Sequence, residues 1–192
     1  MSLHRVLVVY GTKYGQAAKI AGRIAGLLTM TGKHVTLVNA DNPPPDLRAN
    51  HFDGVIVGSS VINGKHRRSV REFVERHRDT MNTLPCAFFS VSGSAASYDE
   101  HGRAEARRML DDFLRVTRWE PELTVTFGGA MAFTKYNVVL RWIMKRISAR
   151  AGGPTDTSRD HDLTDWTQVQ RFADAFASTL PLKRSAEALL PR

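Results

Sequence analysis

The residues best placed to do chemistry are Tyr10-Gly11-Thr12-Lys13-Tyr14-Gly15-Gln16-Ala17. They lie between an apolar run, Val6-Leu7-Val8-Val9, and a stretch from Gln16 to Met30 with apolar residues at helical spacing. The run reads as a fully buried strand. A short loop of small and hydroxyl residues that ends where a helix begins aims several backbone N–H groups and the positive end of the helix dipole at one place, which suits an anion. The candidate ligands are the Thr12 hydroxyl, the Gln16 side chain and the backbone of Lys13, Tyr14, Gly15, Gln16 and Ala17. The loop has no G-x-x-x-x-G-K-[ST], so it lacks the lysine and magnesium-binding hydroxyl of a nucleoside triphosphatase. Only three residues separate Gly11 from Gly15, so the dinucleotide fingerprint G-x-G-x-x-G is also missing.

The elements that would position this loop repeat along the chain. Strands are predicted over 5–10, 35–38, 53–58, 85–91 and 123–127. Between them run helical stripes: Ile20, Ile24, Leu27 and Leu28; then Val70, Phe73, Val74 and His77; then Ala106, Met109, Leu110 and Phe113. A last stripe, Val169, Phe172, Ala173, Phe176 and Leu180, opens at Thr164 or Asp165 with Gln168 in capping-box position. Alternating strands and helices predict an α/β fold, a doubly wound five-stranded parallel sheet with helices on both faces. Ligands of such sheets bind beyond the carboxyl ends of the strands. There the loops 59–64 and 92–98, rich in Gly and Ser, would join the first loop. Phosphorelay receivers share the architecture but need acidic residues after the first strand and an aspartate ending the third; Tyr10-Gly11 and Gly58-Ser59 stand there instead.

The chain has 192 residues, 42% of them hydrophobic, enough for one domain over 1–180 with a sizeable core, followed by a frayed tail over 181–192. Apolar runs fall short of the roughly 20 residues that cross a bilayer, and the N-terminus has no leader pattern, so a cytoplasmic location is expected. Cys86 is the single cysteine and sits in an apolar run, which excludes an internal disulfide. The seven histidines have no metal-ligand spacing, and no metal is expected. The net charge of +8 points to an anionic partner. Nucleic acid is not expected, because the basic residues are not interleaved with stacking aromatics.

Residues 130–162 form an insertion that a five-stranded sheet does not require. Tyr136, Leu140, Ile143 and Ile147 fall on one helical face, Arg141 and Lys145 opposite, and Arg146 and Arg150 on the flanks, before Gly152-Gly153-Pro154. This predicts a basic amphipathic helix, either a covering helix with a solvated basic side or a surface that meets an anionic lipid or ligand by apolar burial plus charge attraction.

The T-x-x-G-Q loop resembles the phosphate loop of flavodoxins, which wraps the 5′-phosphate of FMN. Nearly the whole chain resembles the flavodoxin-like, menaquinone-dependent protoporphyrinogen oxidases. The blocks that carry this are Thr12 to Gln16; Gly58-Ser59-Ser60-Val61 with Gly64 and Phe73; Leu84-Pro85 through Val91; Trp119-Glu120-Pro121; Ile143-Met144-Lys145; Gly152-Gly153-Pro154-Thr155-Asp156-Thr157; and Thr164-Asp165-Trp166. The last three belong to the insertion and its exit, which ordinary flavodoxins lack. One departure is Ala17, where such loops carry a hydroxyl residue; losing that hydrogen bond would cost about 0.5–1.5 kcal/mol.

The resemblance implies FMN as cofactor, protoporphyrinogen IX as electron donor and menaquinone as acceptor, with peripheral contact at the inner face of the cell membrane. Ser60, Val61, Ile62, Asn63 and Gly64, with Ser92, Gly93 and Ser94, would edge the flavin ring, and Tyr98 or His66 would flank it. A basic rim of Lys65, Arg67, Arg68, Lys135 and Arg141 would meet the two propionates of the porphyrinogen. No general acid or base stands out. Two other readings use the same fold: a flavodoxin-type electron carrier, which the insertion and charge speak against, and an FMN-dependent quinone reductase fed by a nicotinamide cofactor.

Overall fold

Consecutive β-branched and aromatic residues, buried on both faces, build the centre of the sheet. The computed structural model describes residues 4–97, 99–150 and 152–181. Its strands β1 (Arg5–Gly11), β2 (His34–Asn39), β3 (Gly54–Ile62), β5 (Cys86–Ser92) and β6 (Leu123–Gly128) are parallel, in the order β2-β1-β3-β5-β6. Strand β4 (Lys65–His66) is a short antiparallel addition to β3. Helices α1 (Gln16–Met30) and α5 (Trp166–Thr179) cover one face, packing Ile20, Ile24, Phe172 and Phe176 on Val6, Val8, Phe89 and Phe127. Helices α2 (Arg68–Met81) and α3 (Glu100–Thr117) cover the other, packing Val70, Phe73, Leu110 and Phe113 on Leu7, Val9, Val57 and Phe88. Asp165 caps α5 by accepting from the amides of Thr167 and Gln168 at 2.9 and 3.0 Å.

Three features depart from the sequence reading. Strand β3 runs four residues beyond the expected Gly58 and turns back through Asn63 and Gly64, both with positive φ (51° and 74°). Asn-Gly is the pair that a two-residue type I′ hairpin demands, so the dipeptide itself signals this turn. Second, the insertion forms its own hairpin, β7 (Ala130–Met131) against β8 (His161–Asp162), flanking helix α4 (Val138–Arg150).

Third, α4 is turned about its axis from the expected orientation, its inward residues being Arg141, Met144 and Ser148 while Lys145 is exposed as expected. Arg141 is half-buried, donating from Nε to the carbonyl of Phe133 (2.9 Å) and from Nη2 to that of Tyr136 (3.2 Å), while Ile143 is exposed. Tyr136 is buried as expected but precedes the helix. Tyr98 and 182–192 lie outside the described residues, as do the side chains of Leu140, Ile147 and Arg150.

His66 does not flank a ligand site. It packs between Phe88 and Phe113, ring centroids 5.4 and 4.8 Å away, and meets the Ser90 hydroxyl at 2.9 Å. Burial pushes its imidazole down to about 4 from 6.5. The folded protein therefore binds fewer protons here than the unfolded chain, so this stability is complete above pH 6.5 and drains as the pH falls toward 4. The expected loss is about 3 kcal/mol, from 1.36 kcal/mol per pKa unit. Urea midpoints measured from pH 7 to pH 4 should fall for the wild type and less steeply for His66→Gln. His77, held low by burial and by Arg76 and Arg48, adds to the residual slope.

Candidate functional site

At the carboxyl edge of the sheet β1 ends and the chain makes one tight loop before α1. The Gly15 amide donates to Thr12 Oγ1 (3.0 Å), which folds the loop, and Gly15 takes φ 100°, a conformation that favours glycine. Gly15 is the N-cap of α1 without a side-chain cap, and no acidic residue lies in the first turn. The opening amides of the helix have no intrahelical acceptor, which leaves donors and the dipole free for an anion. Lys135, on the turn Phe133–Lys135, brings its ammonium to the Tyr14 carbonyl at 2.6 Å. That turn is held by Asp160, which accepts from the amide and hydroxyl of Thr134 (2.9 and 2.8 Å). Tyr14 packs edge-on against Tyr136 at 5.1 Å, and the Lys13 ammonium lies 5.7 Å from the centre of the Tyr14 ring.

Gln16 behaves differently from expectation. Its Nε2 donates to Asp162 Oδ1 and Thr164 Oγ1, both at 2.7 Å, so the side chain has no donor left for an anion. Thr164 passes the chain of bonds on to the carbonyl of Gly128 at 2.8 Å. Gln16 thus ties the start of α1 to the returning strand of the insertion. Ala17 is fully buried in the core, so only its backbone is available to the loop.

Beside the loop lies a slot of about 180 Å³, lined by Thr12, Gln16, Ser60, Ile62, Tyr136 and Met144 among others. Val61, Asn63, Ser92, Gly93, Met131 and Met144 also line a larger cavity of about 670 Å³, so the two spaces adjoin. Gly64 and Ser94 face the larger cavity. The Ser60 hydroxyl is buried without a hydrogen-bond partner, an atom that a ligand in the slot would satisfy. Tyr136 Oη accepts from the Ala132 amide at 3.3 Å, and burial raises its phenol above the ordinary range, so it remains a neutral O–H at pH 7.

The expected basic rim does not form. Lys65, Arg67, Arg68, Lys135 and Arg141 line neither space. Arg67 turns to Asp41 (3.3 Å), Arg68 pairs with Glu72 (2.7 Å), and Arg141 is consumed by backbone carbonyls. Lys65 is exposed on β4. Among the described residues the larger cavity carries Asp99, Glu105, Asp162 and His101 over a floor of Met109, Met131 and Met144, with no lysine or arginine. Charge counted along a sequence could not reveal this for Arg67 and Arg141, which are claimed by a carboxylate 26 residues away and by the carbonyls of a turn. Met131, Tyr136 and Met144 were missed as site residues; their one signal was that the block Ile143-Met144-Lys145 lies in the insertion.

Comparison with known proteins accounts for this combination of sheet, loop and insertion. A family model described as a flavodoxin domain matches residues 7–158. The chain is 30% identical over 173 residues to the quinone-type protoporphyrinogen IX dehydrogenase of Escherichia coli K12, covering 90% of this chain and 94% of the relative. It is 30% identical over 179 residues to the protein of the same name from Leishmania major, covering 93% and 76%. The solved structure of oxidised flavodoxin 1 from Bacillus cereus superposes with a TM-score of 0.55 at 16% identity, over 92% of this chain and 99% of that one, a likeness of fold. The chain belongs to the flavodoxin-domain family that contains the quinone-type protoporphyrinogen IX dehydrogenases.

Proposed function

We propose that this protein is an FMN-dependent oxidoreductase that oxidises protoporphyrinogen IX to protoporphyrin IX and delivers the electrons to a quinone such as menaquinone. The observation that carries the reading is the junction at the sheet's carboxyl edge. An uncapped helix N-terminus with a lysine beside it opens directly onto a slot holding a buried, unpartnered Ser60 hydroxyl. A phosphomonoester suits the first part and a flat polar-edged ring the second. Membership of the family supports the choice of donor and acceptor.

The phosphate would be held by the amides of Lys13 to Ala17 and by the Thr12 hydroxyl, with the Lys135 ammonium supplying a charged donor in place of the hydroxyl that Ala17 lacks. The ring would be edged by Ser60 to Asn63 and by Ser92 and Gly93, and Met131 and Met144 would shield it from water. FMN bound there would supply the two-electron redox chemistry. Tyr136, neutral and lining the slot, is with Ser60 an O–H that could give or take a hydrogen bond as the ring changes charge.

Lys135→Met should weaken FMN binding roughly five-fold, about 1 kcal/mol for one partly exposed ion pair. The loss should shrink in high salt, while riboflavin affinity stays unchanged. Fluorescence titration of the apoprotein with each flavin measures both.

The carboxylates of the larger cavity favour a second reading, a quinone reductase fed by another donor, because Asp99, Glu105 and Asp162 would repel a dicarboxylate substrate that entered carboxyl-first. The test is anaerobic addition of protoporphyrinogen IX or NADH to the FMN-loaded protein, followed by a menaquinone analogue. Bleaching of the flavin by protoporphyrinogen and recovery on adding quinone is the expected result. Bleaching by NADH alone would replace the first reading with the second.

A further inference from the structure

Parallel strands are ordinarily joined by a helix that packs back onto the sheet. Between β2 and β3, residues 40–53 instead hold a single helical turn, Ala49–His51. Pro43-Pro44-Pro45 fixes φ in the first half of this connection, and the Leu47 amide closes on the Pro44 carbonyl at 3.1 Å, so the loop is a braced wall. Where a helix would have packed beside α2 there is a cavity of about 660 Å³. One stripe of α2 lines it, Ser69, Glu72, Phe73, Arg76, His77 and Thr80, at helical spacing. It shares no lining residue with the slot or the larger cavity of the candidate site.

The charges on this wall do not balance. Asp41 accepts from Arg67 (3.3 Å) and from the Ser69 hydroxyl (2.6 Å), and Glu72 from Arg68 (2.7 Å), so both carboxylates are matched by arginines that do not line the space. Arg48 from the loop and Arg76 from α2 do line it, and among the described residues neither side chain has an ion pair or a hydrogen bond. Burial, and after it Arg76 and Arg48, hold the His77 imidazole below its ordinary range, so the two guanidiniums act on one region of the cavity. Two unpaired guanidiniums select an anion. A phosphate carries up to two charges on one tetrahedral group, with oxygens for both planar forks, where a carboxylate offers one charge. Asn50 and Thr80 add neutral donors on the same wall. The volume is far more than a bare phosphate ion needs and falls in the range of small-molecule sites, with Phe73 and Leu47 offering apolar contact to the remainder. We propose that this cavity binds a small organic phosphate, its phosphoryl group between Arg48 and Arg76 and its organic part against Phe73 and the proline wall. The site stands whether or not a flavin occupies the slot.

The test is calorimetric titration of the full chain at low salt with adenosine monophosphate and with inorganic phosphate, read beside the NMR titration of His77. Both probes should bind, the nucleotide at least about ten-fold more tightly because only it has an organic part to bury. Arg48→Ser and Arg76→Ser should each weaken both probes at least about ten-fold, the loss of one charge-assisted contact. Neither side chain has a partner in the folded chain to lose, so the melting temperature without probe should stay unchanged. Gly15→Asp, which alters the opening of α1, should leave a nucleotide-binding step of wild-type strength. Saturation with either probe should raise the His77 pKa, since an anion beside the ring favours its charged form; the other charged groups on the wall are Arg48, Arg76, Asp41 and Glu72. Absence of binding by both probes, or binding that both arginine variants retain, would overturn the proposal. Binding lost in Gly15→Asp and kept in the arginine variants would assign the anion to the first loop instead, and equal affinities for the two probes would rule out an organic phosphate.

Discussion

Gly15→Asp protein is expected to purify without colour and to bind FMN at least about a hundred-fold more weakly than wild type. Gly15 has φ 100°, where a side chain costs about 1–2 kcal/mol, and its Cβ would stand 3.5 Å from the Lys135 ammonium. An aspartate would draw that ammonium to itself and set a negative charge at the opening of α1, where the dipole otherwise favours the phosphate. The lost cation and the repulsion between an aspartate and a phosphate about 4 Å apart, about 4 kcal/mol near a protein surface, together exceed the roughly 2.7 kcal/mol that a hundred-fold change requires. The strain falls on the free and the loaded protein alike, so the apoprotein should keep its circular dichroism spectrum while its melting temperature falls by about 2–8 °C. Fluorescence titration with FMN and with riboflavin reads the effect; riboflavin, which has no phosphate, should be much less affected.

The largest effect on stability is expected at Gly58, in the middle of β3. A Cβ there would lie 1.8 Å from the ring of Phe89 on the neighbouring strand. That ring has no room to retreat, being buried among Phe127 and Phe172 with centroids 5.8 and 6.3 Å away. Gly58→Ala must therefore displace either the ring or the strand, at a cost of about 3 kcal/mol, the upper end of ordinary overpacking. For a chain of this size that lowers the melting temperature by about 6–12 °C. Adding Phe89→Leu should recover part of the loss, since the smaller side chain admits the methyl group. A double variant no more stable than the single one would show that the ring contact is not the cause.

Gly58 and Gly15 also mark how far residue types reveal structure. The buried runs such as Val6–Val9 and the helical stripes such as Val169, Phe172 and Phe176 could be read directly, because burial on one or both faces imposes their periods. The sheet order and the gathering of three loops at one edge followed from alternation. The hairpin at Asn63-Gly64 is equally legible from its dipeptide, although Gly and Ser around it also suit a ligand loop.

The face of α4 was not legible. Its segment, Val-Val-Leu-Arg-Trp-Ile-Met, is apolar nearly all round, so periodicity does not say which stripe meets the protein. What decides it is the pair of carbonyls at Phe133 and Tyr136, which hold the Arg141 guanidinium inward and turn Trp142 and Ile143 out. Gln16 was misread for a related reason: a side chain next to an anion loop reads as a ligand until its partners, Asp162 and Thr164, are brought from the far end of the chain. Lys135 stands against the first loop, at the Tyr14 carbonyl, because the folded insertion brings it there from far along the chain.

The central claim is that a phosphomonoester rests against the amides opening α1 while its ring fills the slot between the Ser60–Asn63 and Ser92–Gly93 segments. The most direct measurement is a side-by-side titration of the apoprotein with FMN and riboflavin at low salt. FMN binding at least about a hundred-fold tighter than riboflavin, the difference a phosphate held by several amides and a lysine should make, is the predicted result. Equal affinities for the two flavins, or binding of neither, would contradict it.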